Sequence, residues 1–297
     1  MAKARADKVK GLFTALITPF DGGGRVSPNA LEKLVSFQIS KGAEGLFPCG
    51  TTGMGPMLSP EERKVVAETV VESARGKVPV VVQVGAADTA TAVELARHAE
   101  SIGAYAVASL TPYYYKPGEG ATVKHFEAIS GAVSLPVLAY DIPRFTGNSL
   151  QPEAAAKLAE SRVLAGIKDS SRDFLHLLDL LDVVPDDFVV MNGTEEYGLY
   201  AIMSGADGLV SGAASALPES FASMVQAERK GDVKSALDSQ NRIQLVKTLV
   251  KPWAIPSYYE VLRERGIDCG VPRPPFLPLD GKQSAGLISK LKGNGLI

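Results

Sequence analysis

Val163-Leu164-Ala165-Gly166-Ile167-Lys168-Asp169-Ser170-Ser171 is the stretch whose reading decides the fold. Its apolar run reads as a buried β-strand with an amine, Lys168, at its carboxyl end. Strand alternation sends Lys168 to the same side as Gly166 and opposite Ile167, so the face carrying the amine is small and can turn inward. Burial disfavours the charged form of lysine, and a free amine is the nucleophile that attacks a ketone. The protonated imine so formed withdraws electrons from the adjacent bond, which permits carbon–carbon bond making or breaking without a metal.

Working outward, short apolar runs bounded by Gly or Pro recur with amphipathic stretches between them, the pattern of βα units over a parallel sheet. The predicted strands are Leu12–Ile17, Gly45–Pro48, Val78–Val84, Ala104–Leu110, Val137–Tyr140, Leu164–Lys168, Phe188–Met191 and Gly208–Val210. Ser59–Arg75 and Thr89–Ser101 read as helices, the first opening on an N-cap, a proline at N1 and two acids. Eight such units predict a (β/α)8 (TIM) barrel over residues 1–224. Residues 225–297 then form a helical extension, with helices near Val233–Val246, Trp253–Arg265 and Ser284–Lys292. An open dinucleotide-binding sheet needs a glycine fingerprint whose spacing Gly22-Gly23-Gly24 lacks, so those glycines read as a turn. Gly270–Leu279 is proline-rich and reads as a rigid connector.

Of the 297 residues 45% are hydrophobic and 22% charged, so the chain is globular and disorder is not expected over most of it. A net charge of −2 from interspersed signs predicts no nucleic-acid or membrane partner and leaves a small molecule. The two cysteines, Cys49 and Cys269, have no CxxC spacing, which fits a reducing compartment; the expected location is cytoplasmic. Met1–Lys10 lacks the apolar core of a signal peptide and is expected to fray.

In a barrel of this type the active site forms at the carboxyl ends of the strands, where Lys168, Tyr140, Thr51 and Thr52 all fall. A strand-end lysine is usually solvated, a Thr-Thr-Gly turn usually serves the backbone, and a strand-end tyrosine usually belongs to the core. Their coincidence carries the signal. Tyr140 can relay a proton when another hydroxyl donates to it, and Thr51 is the nearest candidate. Gly50 and Gly53 let the Thr51-Thr52 backbone approach an anion, and a helix starting soon after adds its positive dipole end, so a small keto acid is the expected substrate. His98, His125 and His176 have no paired-ligand spacing and read as surface or packing residues; no metal is predicted. Asp141 and Asp169 should point away from the neighbouring catalytic candidates.

With these residues in place, the chain resembles the dihydrodipicolinate synthase and N-acetylneuraminate lyase superfamily over nearly its whole length. Gly50-Thr51-Thr52-Gly53 is similar to the family's carboxylate-binding turn, Tyr140-Asp141-Ile142-Pro143 to its tyrosine motif, and Gly166-Ile167-Lys168-Asp169 to its Schiff-base motif. Thr111-Pro112-Tyr113-Tyr114-Tyr115 resembles the segment that donates a tyrosine across a tight dimer, and Gly205–Ser211 the last barrel strand. The resemblance implies Lys168, Tyr140, Thr51 and Tyr114 as catalytic residues. It implies Thr52, Gly50, Gly193 and Val210 as substrate-binding residues, a lysine imine with pyruvate in place of any cofactor, and a homodimer or homotetramer.

Within the superfamily, synthases usually carry an arginine five residues after the motif tyrosine, where this chain has Phe145, with Arg144 one step early. Thr52-Gly53-Met54-Gly55-Pro56 and Pro272-Arg273-Pro274-Pro275 resemble archaeal-type 2-keto-3-deoxygluconate aldolases instead. The resulting expectation is a class I pyruvate aldolase cleaving a 2-keto-3-deoxy sugar acid to pyruvate and an aldehyde. One alternative is 4-hydroxy-tetrahydrodipicolinate (dihydrodipicolinate) synthase, joining pyruvate to aspartate semialdehyde with Arg144 replacing the missing arginine. The other is a non-catalytic sugar-acid-binding barrel. Lys116 is the candidate contact for a phosphorylated substrate.

Overall fold

The computed structural model of the chain describes residues 5–297. Its strands are β1 (Gly11–Ala15), β2 (Gly45–Phe47), β3 (Val81–Gln83), β4 (Ala106–Leu110), β5 (Val137–Asp141), β6 (Gly166–Asp169), β7 (Val189–Asn192) and β8 (Gly208–Ser211). All neighbours are parallel, in the order β2-β1-β8-β7-β6-β5-β4-β3, and a parallel bridge between Leu46 and Val80 joins the two ends. This is the (β/α)8 barrel read from the sequence.

Parallel strands covered on both faces must bury every side chain, and each of these does. One alternating set, including Phe13, Phe47, Leu138 and Met191, packs together inside the barrel. The other, including Leu12, Val107, Ile167 and Val190, packs outward against the helices. A Cβ at Gly166 would lie 2.7 Å from the Val189 carbonyl oxygen and 2.9 Å from the Val189 Cβ, so only glycine lets β6 and β7 close together one step below the lysine on the same face.

The helices of the barrel are α1 (Pro28–Ser40), α2 (Pro60–Ala74), α3 (Thr89–Ser101), α4 (Glu119–Ala132), α5 (Pro143–Thr146), α6 (Pro152–Glu160), α7 (Phe174–Val183), α8 (Gly198–Met203) and α9 (Glu219–Arg229). After them come α10 (Val233–Val250), α11 (Ile255–Glu264) and α12 (Gly281–Gly293). Residue 224 falls inside α9, and the core runs unbroken from Met224 and Val225 to Ile243 and Leu287. Arg273 of the proline-rich connector forms two bonds to Glu62 at the start of α2 (2.8 and 2.6 Å) and stacks on Phe20, which ties the extension to the barrel.

The expected fraying of Met1–Lys10 is corrected in part. Met1–Ala4 lie outside the described residues, whereas Ala6 and Val9 are buried in the inner cluster with Phe13. Their apolar side chains close the amino-terminal end of the barrel. No helix among the described residues is long and apolar enough to cross a membrane.

Candidate active site

Tyr140 on β5 and Lys168 on β6 are register partners, so both side chains project from one side of the sheet into the carboxyl-terminal end of the barrel. Lys168 is 4% exposed, with its Nζ 3.8 Å from the centroid of the Tyr140 ring and 4.4 Å from that of Phe47. Burial drives the amine below the ordinary lysine range; Tyr140 and Glu195 pull it back up, and the Arg144 guanidinium pushes it further down. The net direction favours the free amine. Thr51 Oγ1 and the Tyr140 hydroxyl are hydrogen-bonded at 3.1 Å, and either can donate.

Thr51, Thr52, Tyr140, Lys168, Gly193 and Val210 line one cavity of about 510 Å³. Gly193 is required there by space, since a Cβ would sit 1.9 Å from Ser170 Oγ. Two predicted residues are not brought to the cavity wall. Gly50 lies behind it, where its carbonyl accepts from the Gly55 N–H (3.0 Å) and holds the turn. Tyr114 is 84% exposed, in edge contact with Tyr115 and with its backbone at φ +76°, so within one chain it does not meet Thr51 or Tyr140. Lys116 likewise lies outside the lining, near Gly147.

The helix expected soon after Thr52 is α2, starting at Pro60 beyond a short 3-10 turn, Gly55–Met57; a capping box between Ser59 and Glu62 satisfies the N–H groups of those two residues.

Several lining residues were not foreseen. Glu195, 6% exposed, accepts from Ser211 Oγ (2.6 Å) and the Ala213 N–H (2.8 Å) and pairs with Lys247, which reaches in from α10. Burial pushes the Glu195 carboxyl up, but Lys247 and these hydrogen bonds together hold it below its ordinary value. Glu195 lies just past the end of β7, where the strand-end rule could have found it. Lys247 carries no sequence signal, because only folding brings α10 over the barrel mouth. Arg172 pairs with Glu196 at 2.6 Å, and Arg144 stacks its guanidinium 4.6 Å from the Phe145 ring centroid.

Asp141 and Asp169 point away from the cavity, as alternation requires, and are fully buried. Asp141 accepts from Ser149 Oγ (2.8 Å) and the Leu150 N–H (3.2 Å), while His176 Nδ1 stands 3.6 Å from Asp169 Oδ2. Burial pushes the Asp141 carboxyl up to about 6, and the Asp169 carboxylate raises His176. The ligand atoms of these three residues lie within 4.8 Å of one another, a spacing that would admit a cation. His125, held by Thr89 and Ser109, and His98, paired with Glu68, lie elsewhere.

Fold and site together define a lyase of the (β/α)8 class with a buried strand-end lysine. The chain belongs to the Dihydrodipicolinate synthetase family, whose family model matches residues 8–293. A 4-hydroxy-tetrahydrodipicolinate synthase of Nitrobacter hamburgensis is 36% identical over 89% of this chain and 85% of its own. YagE of E. coli K12, solved in complex with pyruvate, superposes with a TM-score of 0.92 at 28% identity, covering 97% of this chain and 99% of YagE. A variant of the 2-keto-3-deoxygluconate aldolase of Sulfolobus solfataricus superposes at 0.89 and 28% identity, covering 96% of each chain.

The assignment to 2-keto-3-deoxygluconate aldolase is overturned: curated relatives at 33–36% identity are named 4-hydroxy-tetrahydrodipicolinate synthase. The two motifs that suggested the aldolase report packing rather than substrate. A Cβ at Gly55 would lie 1.8 Å from the Cys49 carbonyl oxygen, and Arg273 of the proline run serves Glu62; neither lines the cavity. Membership in a family of enzymes also removes the non-catalytic barrel.

Proposed function

We propose that the chain is a 4-hydroxy-tetrahydrodipicolinate synthase, joining pyruvate to aspartate semialdehyde through an imine on Lys168. The observation that carries this reading is the buried Lys168 amine lying 3.8 Å from the Tyr140 ring, at the end of a Thr51–Tyr140 hydrogen bond. The names of the relatives support the choice of the second substrate.

Lys168 Nζ attacks the ketone carbon of pyruvate, water leaves, and a protonated imine remains. Loss of a methyl proton gives the enamine, whose carbon bonds to the aldehyde carbon. Tyr140 gives its proton to the new alkoxide and takes one from Thr51 along their hydrogen bond. The amine of the semialdehyde then attacks the imine carbon and expels Lys168, closing the ring. The Thr51-Thr52 backbone holds the pyruvate carboxylate beside Gly193 and Val210. The imine is the electron sink, so the sequence needs no metal or cofactor.

Tyr114 enters this reading from a second copy. Its 84% exposure and left-handed φ of +76° hold the phenol, in edge contact with Tyr115, out from the barrel, a strained geometry of the kind that persists at functional contacts. The working form is therefore a homodimer or a homotetramer, and the reading places it in the cytoplasm, where the buried Cys49 and Cys269 stay as thiols.

The test is to incubate the protein with pyruvate, add borohydride and locate the adduct by peptide mass spectrometry, then to assay ring formation with aspartate semialdehyde. A stable adduct on Lys168 and the cyclic product are expected. An unmodified Lys168, or an adduct without cyclic product, overturns the reading. Sedimentation of a fully active monomer would remove Tyr114 from it.

A further inference from the structure

One side chain holds the loop that carries Tyr114. Asn148, half-buried in the turn that follows α5, donates through Nδ2 to the Pro112 carbonyl (2.6 Å) and to the Tyr115 carbonyl (2.8 Å). A single amide thus grips both residues that bracket Tyr113 and Tyr114. Its own carbonyl accepts from Thr146 Oγ1 (2.7 Å) and, from the start of the same loop, Thr111 Oγ1 (3.3 Å). Within this arch the two rings part. Tyr113 packs against the inner cluster of the barrel, while Tyr114 stands 84% exposed at φ +76°.

An asparagine in a turn ordinarily bonds its own neighbouring backbone, and Asn148 does so only at 3.3 Å, to the Thr146 carbonyl. Its two shorter bonds go to a separate loop. A left-handed backbone is unfavourable for a residue with a Cβ, and so is a large ring left in water. The groups around Tyr114 must therefore hold it out, and Asn148 supplies a bond on each side of it. The anchor is itself tied to the reacting end of the chain. Ser149 Oγ and the Leu150 N–H, on the next two residues, donate to Asp141, which follows Tyr140 on β5. The strand that presents Tyr140 inward thus also fixes the loop that presents Tyr114 outward.

We propose that Asn148 is a positioning residue, which presets the Tyr114 phenol in the conformation that a second copy of the chain receives at its own Thr51 and Tyr140. This rests on the reading of Tyr114 as a donor across a dimer and adds to it the device that holds the donor ready. A loop already ordered in the single chain loses no further conformational freedom when two copies meet. Position matters as much, since a reacting group displaced by about 1 Å can lose about a hundredfold in rate. Loss of the Asn148 amide therefore damages the partner's site and spares the barrel that carries it.

The test is complementation between chains. Asn148→Ala and Tyr114→Phe are assayed for ring formation, each alone and each coexpressed with Lys168→Met, which lacks the amine but keeps an intact Tyr114 loop. Alone, Tyr114→Phe is expected to lose about a hundredfold in turnover and Asn148→Ala at least about tenfold. Coexpression at equal levels makes about half of the dimers hybrids with one complete site each, so both mixtures should reach about one quarter of the wild-type rate. A defect in the Asn148→Ala barrel itself would leave its mixture at about half of that variant's own low rate. Borohydride trapping of pyruvate on Lys168 shows that the Asn148→Ala barrel is folded. If it is not, Asn148→Asp, which keeps the size but offers the two carbonyls no amide donor, takes its place. Wild-type turnover in the Asn148 variant, or a loss that its hybrid does not restore while that of Tyr114→Phe is restored, overturns the positioning role. Full activity of Tyr114→Phe, or no recovery in its hybrid, removes Tyr114 from the site and the role of Asn148 with it, while the Lys168 adduct still decides the imine. No ring formation by wild type removes the synthase reading and this role together.

Discussion

Tyr140 and Lys168 face each other across one step of the β5–β6 ladder, with the lysine nitrogen 3.8 Å from the tyrosine ring centroid. The pairing divides two tasks between neighbouring strands. Burial lowers the amine's proton affinity against the upward pull of the Tyr140 hydroxyl, and the same hydroxyl reaches Thr51 at 3.1 Å. Removing the hydroxyl should therefore leave the amine at least as free to attack and damage the relay.

Tyr140→Phe is expected to keep the pyruvate adduct on Lys168 and to lower turnover about 10²- to 10⁴-fold, the usual worth of a positioned proton donor. Thr51→Val should lower it less, about tenfold, because the phenol stays. Borohydride trapping and steady-state assays on the same samples make the comparison. A Tyr140→Phe protein that no longer traps pyruvate would assign the hydroxyl to imine formation instead.

Lys168→Met should abolish the adduct and stabilise the fold near neutral pH. Burial lowers the native amine below its unfolded value of 10.5, so the unfolded chain binds the proton more tightly and the native state carries a penalty below that pH. The penalty fades as pH rises toward the unfolded value. Thermal midpoints should thus exceed wild type at pH 7, by about 2–4 °C for each kcal/mol recovered, and converge with it above pH 10. A midpoint advantage that does not change with pH would mean that packing, not protonation, is responsible.

Lys247→Met leaves Glu195 buried without its cation, and breaking a buried pair from one side costs about 3–5 kcal/mol. Glu195 is held below its ordinary value in the native state, so the stability it contributes is present above pH 4.5 and lost as pH falls through the native value. The variant should flatten that acid dependence. Where Glu195 stays ionised it also leaves an uncompensated negative charge near Lys168, and the acid limb of activity should then move to higher pH. Urea melts at pH 5 and 8, with a pH–rate profile, check both; Lys247→Arg should recover most of the loss.

Asp141→Asn tests the cluster behind the wall. The native carboxyl sits at about 6 against 3.8 unfolded, so its destabilising effect grows between those values and is complete above pH 6. Asn keeps an acceptor for the Leu150 N–H and presents no charge to Asp169. The variant should be more stable at pH 8, by at most about 3 kcal/mol, and should match wild type at pH 4. Chemical melts at the two pH values decide it, with His176 and Asp169 as the other charged groups that face the site.

The eight strands were legible because a barrel strand buries both faces and so reads as a short unbroken apolar run between glycines and prolines. Lys168, Tyr140, Thr51 and Thr52 were legible because strand ends in this fold converge, and alternation says which residue faces inward. Tyr114 was not placed by that rule, since its loop leaves the barrel altogether. The 2-keto-3-deoxygluconate assignment fails because the surroundings of Gly55 and Arg273 make them marks of packing, not of substrate.

By itself the sequence determined the barrel and the inward-facing amine, since both follow from side-chain period and from where small residues stand along a strand. Only the tertiary structure decided the charge at the mouth. The side chains of Glu195, Lys247 and Lys251 meet one cavity because α10 folds back over the barrel, and no local period in the chain encodes a contact between residues so far apart.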